Sequence, residues 1–325
     1  MTPHKVLVTD IVFEGLDIER EVLEPLDARV VLAAGQDVAT LAREAADADA
    51  VMVCFAPVPA EVVDAAAAGG CRVIARYGIG YDNVDVAAAS RHGIVVTNVP
   101  DYCLDEVADH TMALLLAAAR GVVAASRAVA AGGWTIEHSG VHRLAGRRLA
   151  LIGLGGIGRR VAARAQAFGL EVVGFDPFLP EGTGIDGVRR VGSLAEAFAG
   201  AHFISLHVPM TPENERLIDT DSLALADSAP ILINTSRGGL VDLDAVAVAL
   251  EDGVLSGAAL DVTDPEPLPL DDPLRDDPRV IVTPHRAFHS VEATHELQRR
   301  TALEVARALR GEPADRPVNS EALRA

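Results

Sequence analysis

Short runs rich in Val and Ile alternate along the chain with Ala/Leu segments whose apolar positions recur at helical spacing. The runs are "KVLVT", "ARVVLA", "AVMVCF", "CRVIAR" and "GIVVTN" in the first part, then "RRLALIG", "EVVGFD", "HFISLHV", "PILINT", "SGAALDV" and "RVIVTP". Apolar strands separated by helical segments predict parallel sheets with crossover helices, an α/β fold. Between the two series lies the longest helical stretch. It begins near "CLDEVADHTMALLLAAAR", after Pro100, and is predicted to continue with weaker pattern to a break at Gly132 and Gly133. The segment "DPEPLPLDDPLRDDP" holds too many prolines for a helix interior and reads as loop.

With 325 residues, half of them hydrophobic, the chain is expected to be globular and to form two domains rather than one. No run reaches the roughly 18 consecutive apolar residues of a membrane span, because the richest stretch, 111–119, soon meets Arg120 and Gly121. The N-terminus lacks the basic start, apolar middle and cleavage site of a signal peptide, so a cytoplasmic location is expected. Cys54, Cys71 and Cys103 show no CxxC or Cys/His metal spacing and read as core or loop residues; no metal is implied. The net charge of −19, without a basic stripe, argues against nucleic acid as a direct partner. An anionic substrate must then find its cations locally.

The run "LALIGLGGIGRRVA" (149–162) places Gly153, Gly155 and Gly158 at G-x-G-x-x-G spacing. The three glycines serve a tight turn, the approach of backbone to a pyrophosphate, and close helix–strand packing. A helix starting near Gly156 or Ile157 aims its free N–H groups at the phosphates. The next strand, "EVVGFD", ends in Asp176, whose carboxylate suits two ribose hydroxyls and repels a 2′-phosphate; Pro177 and Phe178 follow rather than an arginine. The cofactor expected is NAD rather than NADP. A plain βαβ turn with a solvated aspartate is the other reading of the same residues.

Ligands bind at the carboxyl ends of the strands in such folds, where three ionisable residues follow late strands. Arg237 follows "ILINTS", Glu266 lies beyond the Asp261 that closes "GAALD", and His285 follows "VIVTP". Hydride transfer at a substrate carbon requires proton transfer at its oxygen, which histidine performs near neutral pH. A glutamate orients such a ring and stabilises its protonated form, and an arginine binds a carboxylate while polarising the neighbouring carbonyl. Together they describe a 2-keto acid reductase. Taken singly, Arg237 also reads as a helix cap or ion-pair residue, Glu266 as a solvated loop acid, and His285 as a turn residue after Pro284.

Six ordered motifs resemble those of the D-isomer-specific 2-hydroxyacid dehydrogenase family. They are "RYGIGYDNVD" (76–85), "VPDYCLDEVADHTMALLLAAAR" (99–120), "GLGGIG" (153–158), "NTSRGGLVD" (234–242), "ALDVTDPEP" (259–267) and "TPHRAFHS" (283–290). The resemblance spans nearly the whole chain. It implies two doubly wound parallel-sheet domains: a Rossmann NAD-binding domain, 100–286, inserted in a flavodoxin-like substrate domain, 1–99 plus 287–325. It further implies that Arg237 anchors the substrate, His285 is the acid/base and Glu266 tunes it. By the same resemblance the N–H groups of Ile79 and Gly80 hold the substrate carboxylate, and Thr235 and Asp261 lie near the nicotinamide end of NAD. Arg76 either reaches the substrate or pairs with an acid. A homodimer through the Rossmann domains and domain closure about hinges near 99–101 and 284–287 are also implied.

Within the family, "DYCLDEVADH" and "HRAFHS" look closest to the branch of NAD-binding transcriptional corepressors and bacterial relatives labelled phosphoglycerate dehydrogenase. Two positions depart from the pattern. Arg286 stands where the family has a small or apolar residue, and Phe288 where the corepressors carry tryptophan. Arg286 is either a second cation for a phosphate or second carboxylate, or an ion-pair residue at the domain edge. Ending at residue 325, the chain is expected to lack the ligand-sensing domain and serine feedback of longer relatives. The expected function is interconversion of a small 2-keto acid and its D-2-hydroxy acid; an NAD(H)-gated binding protein of the corepressor type is the alternative. Formate dehydrogenase, which pairs its histidine with glutamine, fits less well because Glu266 is present.

Overall fold

The computed structural model describes residues 3–136, 140–180, 182–321 and 323. The chain divides into two compact units, residues 1–102 with 290–325 and residues 103–289.

The first unit holds β1 (His4–Val8), α1 (Asp17–Leu23), β2 (Ala28–Leu32), α2 (Val38–Ala45), β3 (Ala50–Val53), α3 (Ala60–Ala68), β4 (Val73–Arg76), α4 (Val86–Arg91) and β5 (Val95–Thr97). The strands are all parallel in the order β2-β1-β3-β4-β5, the flavodoxin-like doubly wound arrangement. Leu7, Val51, Val53, Ile74 and Val96 pack on one face beneath Leu41, Val62, Val63 and Ala66 of α2 and α3. Asp37 and Asp85 accept N–H bonds at the starts of α2 and α4, supplying acceptors that the first helical turn lacks.

The second unit opens with α5 (Leu104–Ala119) and α6 (Val122–Ala130), followed by β6 (Arg148–Ile152), α7 (Gly156–Ala167), β7 (Glu171–Phe175), β8 (Val188–Arg190), α8 (Leu194–Phe198) and β9 (Phe203–Leu206). It continues through α9 (Thr220–Leu223), β10 (Ile231–Asn234), α10 (Leu243–Glu251), β11 (Gly257–Leu260) and β12 (Val280–Val282). Its seven parallel strands run β12-β11-β10-β9-β6-β7-β8, with the order reversing between β6 and β9 as in a Rossmann sheet. Along β6, Ala150 and Ile152 join the core that includes Phe198, Val246 and Leu250, while Leu149 and Leu151 join the one that includes Met112, Leu115 and Val161. Helices cover both faces of this strand, which is why its sequence is continuously apolar. The chain then returns to the first unit as α11 (Val291–Arg310), capped by the Ser290 side chain and closed by Gly311 at φ +73°.

Two expectations are corrected. The long helix does not run on to Gly132: α5 ends at Ala119, Gly121 takes φ +61°, and α6 leaves at 62° to α5. Glycine adopts this left-handed conformation without a Cβ penalty, so the helix stops there despite good helix formers on both sides. The sheet also gains β8, "VRR", an edge strand with no apolar run to announce it. Among the described residues no single helix is long and apolar enough to cross a membrane.

Candidate active site

The glycine loop leaves β6 and enters α7 at Gly156. Gly153 has φ +99°, and a Cβ there would lie 2.3 Å from the carbonyl oxygen of His207. At Gly158 a Cβ would lie 2.2 Å from the Gly153 carbonyl oxygen, so helix and loop meet closely. At Gly155 a Cβ would meet nothing within 4 Å. The first and third glycines are thus required by the protein's own packing, and the second borders open space. No side chain caps α7 at its Gly155 N-cap, leaving the first-turn N–H groups of Gly156, Ile157 and Gly158 to an external acceptor.

Asp176 follows β7 and faces this loop. Its Oδ2 accepts from the Leu154 N–H at 2.9 Å and its Oδ1 from the Phe178 N–H at 3.0 Å. Each oxygen has lone-pair capacity left for a ligand hydroxyl. Open space at Gly155, an uncapped helix start and a carboxylate at the end of the next strand fit a dinucleotide. The chemistry that sequence reasoning missed here is His207, whose Nε2 lies 2.9 Å from the Ser205 hydroxyl and whose carbonyl sets the Gly153 turn. Burial pushes its pKa down to about 3, so the ring is neutral.

Arg237, Glu266 and His285 follow β10, β11 and β12, adjacent strands at one end of the sheet. Gly238 brings the Arg237 turn against the loop leading to Glu266: a Cβ there would lie 2.0 Å from the Thr263 carbonyl oxygen. The Arg237 backbone carbonyl accepts from Asn234 Nδ2 at 2.7 Å, and its Nη1 donates to the Ser236 carbonyl at 2.8 Å. His285 Nδ1 lies 2.8 Å from Glu266 Oε1. With the carboxylate accepting at Nδ1–H, the neutral ring presents its lone pair at Nε2.

Asp261 organises the loop that carries His285. This aspartate is 1% exposed; its Oδ1 accepts from the Thr283 hydroxyl at 2.5 Å and the Arg286 N–H at 3.0 Å, and its Oδ2 from the Ala287 N–H at 2.8 Å. Burial opposes ionisation of this carboxyl, but hydrogen bonds from His110, Thr283, Ala287 and Arg286 outweigh it and hold the pKa below the usual carboxylate range. His110 on α5 reaches Thr283 Oγ1 at 3.0 Å and Asp261 Oδ1 at 3.4 Å. Thr235, after β10, is buried with its hydroxyl 2.9 Å from that of Thr111. His110 and Thr283 escaped sequence reasoning; His110 stands beside Thr111 in α5, but local patterning does not link it to Thr283, which follows β12.

In the first unit, β4 ends in Arg76 and leads into Tyr77, Gly78, Ile79 and Gly80. Arg76 is buried, with Nη1 on the Tyr77 carbonyl at 2.5 Å and its guanidinium 5.9 Å from the Phe55 ring centroid. Gly78, at φ +141°, has no room for a side chain, since a Cβ would fall 1.4 Å from Arg76 Nη1. Arg76 therefore braces this loop from beneath. The Gly78 carbonyl accepts from the Val99 N–H and the Ile79 carbonyl from Asn98 Nδ2, whereas the N–H groups of Ile79 and Gly80 meet no acceptor among the described residues. Both residues are partly exposed, and two such donors side by side suit an anion.

Residues 112–287 match the family model described as D-isomer specific 2-hydroxyacid dehydrogenase, NAD binding domain. The chain is 39% identical over 318 residues to the D-3-phosphoglycerate dehydrogenase of Methanocaldococcus jannaschii, an alignment covering 97% of this chain and 59% of that protein. It is 40% identical over 277 residues to the glyoxylate reductase of Korarchaeum cryptofilum, covering 82% of this chain and 81% of that one. A solved protein of Thermus thermophilus matches the fold with a TM-score of 0.86 at 37% identity, over 97% of this chain and 99% of that one. The chain thus spans less than two thirds of the Methanocaldococcus relative. It belongs to the D-isomer specific 2-hydroxyacid dehydrogenase family, and residues 112–287 form its NAD-binding domain.

Proposed function

We propose that this protein is an NAD-dependent D-2-hydroxyacid dehydrogenase that interconverts a small 2-keto acid and its D-2-hydroxy acid. The observation that carries this reading is the pairing of His285 Nδ1 with Glu266 Oε1 at 2.8 Å, on strand ends adjacent to the one bearing Arg237. NAD, when bound, supplies the hydride donor or acceptor. Gly153, Gly155, Gly156, Ile157 and Gly158 would hold its pyrophosphate, Asp176 would accept from its ribose, and Thr235 and Asp261 would lie toward its nicotinamide end.

His285 Nε2 gives a proton to the substrate oxygen during reduction and removes one during oxidation. Glu266 holds the ring so that Nε2 carries out that exchange. Arg237 binds the substrate carboxylate and draws electron density from the neighbouring carbonyl. In the first unit, the N–H groups of Ile79 and Gly80 are suited to a carboxylate, with Arg76 as their brace. Replacing Glu266 with Gln tests the pairing: NADH-linked reduction of pyruvate or glyoxylate is expected to fall at least about 10-fold, while NADH binding, followed by fluorescence, is kept. Unchanged turnover would remove Glu266 from the mechanism.

A further inference from the structure

The reaction class leaves open what the substrate carries beyond its 2-keto carboxylate, and the five loops at the carboxyl end of the first unit's sheet bear on this. They are residues 9–16 after β1, 33–37 after β2, 54–59 after β3, 77–85 after β4 and 98–102 after β5. Together they contain no Lys, Arg or His, but they contain Asp10, Glu14, Asp37, Asp82, Asp85 and Asp101. Three cations of the first unit that touch these loops are engaged by the protein itself. Arg76 lies beneath residues 77–80 on the Tyr77 carbonyl, and Arg300 and Arg316 pair with Asp101 at 2.7 and 4.0 Å.

What these loops do offer is apolar. Val12 after β1, Phe55 after β3 and Tyr81 after β4 are large side chains 52%, 39% and 40% exposed. Their strands are neighbours, and the order reverses between β1 and β3, where such sheets bind ligands. The loops are also laced together. Asp10 accepts from the N–H groups of Cys54 and Phe55 at 3.0 and 2.7 Å, and Asn83 Nδ2 donates to the carbonyls of Cys54 and Ala56 at 3.1 and 2.9 Å. The loop bearing Phe55 is thus held between the loop after β1 and the loop after β4, where the N–H groups of Ile79 and Gly80 meet no acceptor among the described residues.

We infer that the preferred substrate is a monoanionic 2-keto acid with an apolar side chain, aliphatic or aromatic, selected by Val12, Phe55 and Tyr81. This rests on the reading above, in which the substrate carboxylate sits on the N–H groups of Ile79 and Gly80. A carbon chain attached to that carboxylate then meets hydrocarbon. A phosphate or second carboxylate would lose water there without gaining a cation, and would face Glu14 and Asp82. The exposed cation next in sequence to the proposed acid/base is Arg286, whose N–H is held by Asp261.

The test is a kcat/KM series with NADH for pyruvate, 4-methyl-2-oxopentanoate and phenylpyruvate against oxaloacetate, 2-oxoglutarate and phosphohydroxypyruvate. The better of 4-methyl-2-oxopentanoate and phenylpyruvate is expected to exceed each of the three polyanions by at least about 10-fold, and Phe55→Ala to lower its kcat/KM by about 10-fold or more, with kcat/KM for pyruvate falling by less than about 3-fold and NADH affinity kept. Preference of the wild-type protein for oxaloacetate, 2-oxoglutarate or phosphohydroxypyruvate would overturn the inference and leave the reaction class standing. If NADH binds but none of the acids is reduced, both readings fall.

Discussion

The main-chain N–H of His285 donates to the main-chain carbonyl of Asp261 at 2.8 Å, while His285 itself sits at φ +46°. A non-glycine residue in the left-handed region persists only where its surroundings impose it. Here they do. The same aspartate holds Thr283 before the histidine and the N–H groups of Arg286 and Ala287 after it, so the position of the proposed acid/base is set by a carboxylate with no apolar signature in the sequence.

Asp261→Asn should therefore loosen the loop. An amide has one acceptor oxygen in place of two and brings N–H groups toward existing donors, so unfolding stability is expected to drop by about 1–3 kcal/mol, measurable by denaturant titration. The pH dependence has a definite sign. A carboxyl whose folded pKa is depressed contributes stability that is complete above its unfolded value, about 3.9, and is lost as pH falls through the lower folded value. Wild-type stability should lose this contribution below about pH 4, and the variant should show a shallower acid slope. An unchanged slope would show that Asp261 does not carry it.

Glu19 gives the opposite sign. It is fully buried in the first unit, accepting from the Tyr77 hydroxyl at 2.9 Å and from Gln298 Nε2 at 3.1 Å on both oxygens. Burial pushes its carboxyl above the ordinary value, ahead of the hydrogen bonds that lower it. The folded state then takes up a proton at higher pH than the unfolded chain, so this group raises stability as pH falls from above its folded value to below about 4.3. Glu19→Gln removes the titration, and loss of that rise in a stability–pH series is the expected result.

The glycine loop separates folding from binding. Gly153→Ala forces a Cβ against the His207 carbonyl at φ +99° and is expected to cost about 1–3 kcal/mol of stability. Gly155→Ala, with open space at that position, should fold with stability within about 0.5 kcal/mol of wild type. Its NADH affinity should nonetheless fall at least about 10-fold, a loss of about 1.4 kcal/mol. Equal NADH affinity in the Gly155 variant would move the pyrophosphate elsewhere.

We also propose the homodimer implied by the family resemblance, with α6, Trp134 and Ile136 in its surface. No residue of α6 is buried within the chain, and Val122, Val129, Trp134 and Ile136 are 50–87% exposed. A nine-residue helix is marginal without tertiary packing, so an apolar partner surface accounts for it. Light scattering should report twice the chain mass for the wild type and the single mass for a Trp134→Asp, Ile136→Asp double variant. A monomeric wild type would contradict the proposal.

Much of this was legible in the sequence for a physical reason. Strands covered by helices on both faces must be apolar throughout, so "RLALI" and "ILIN" announce themselves, and the Gly153 and Gly158 positions follow from contacts that no Cβ would tolerate. The edge strand Val188–Arg190 is half exposed and bears arginines, which leaves no such mark. The break at Gly121 depends on one left-handed residue within a long run of helix formers. His110 and Thr283 join the site through a shared buried carboxylate from distant parts of the chain, and local patterning carries no trace of a contact spanning more than a hundred residues.

The most direct test of the central claim is steady-state reduction of a 2-keto acid with NADH by wild type and by His285→Asn, a substitution chosen because asparagine tolerates the left-handed backbone at this position. The account predicts a loss of about 100-fold or more in kcat with NADH affinity unchanged. Turnover within a few-fold of wild type would contradict His285 as the acid/base.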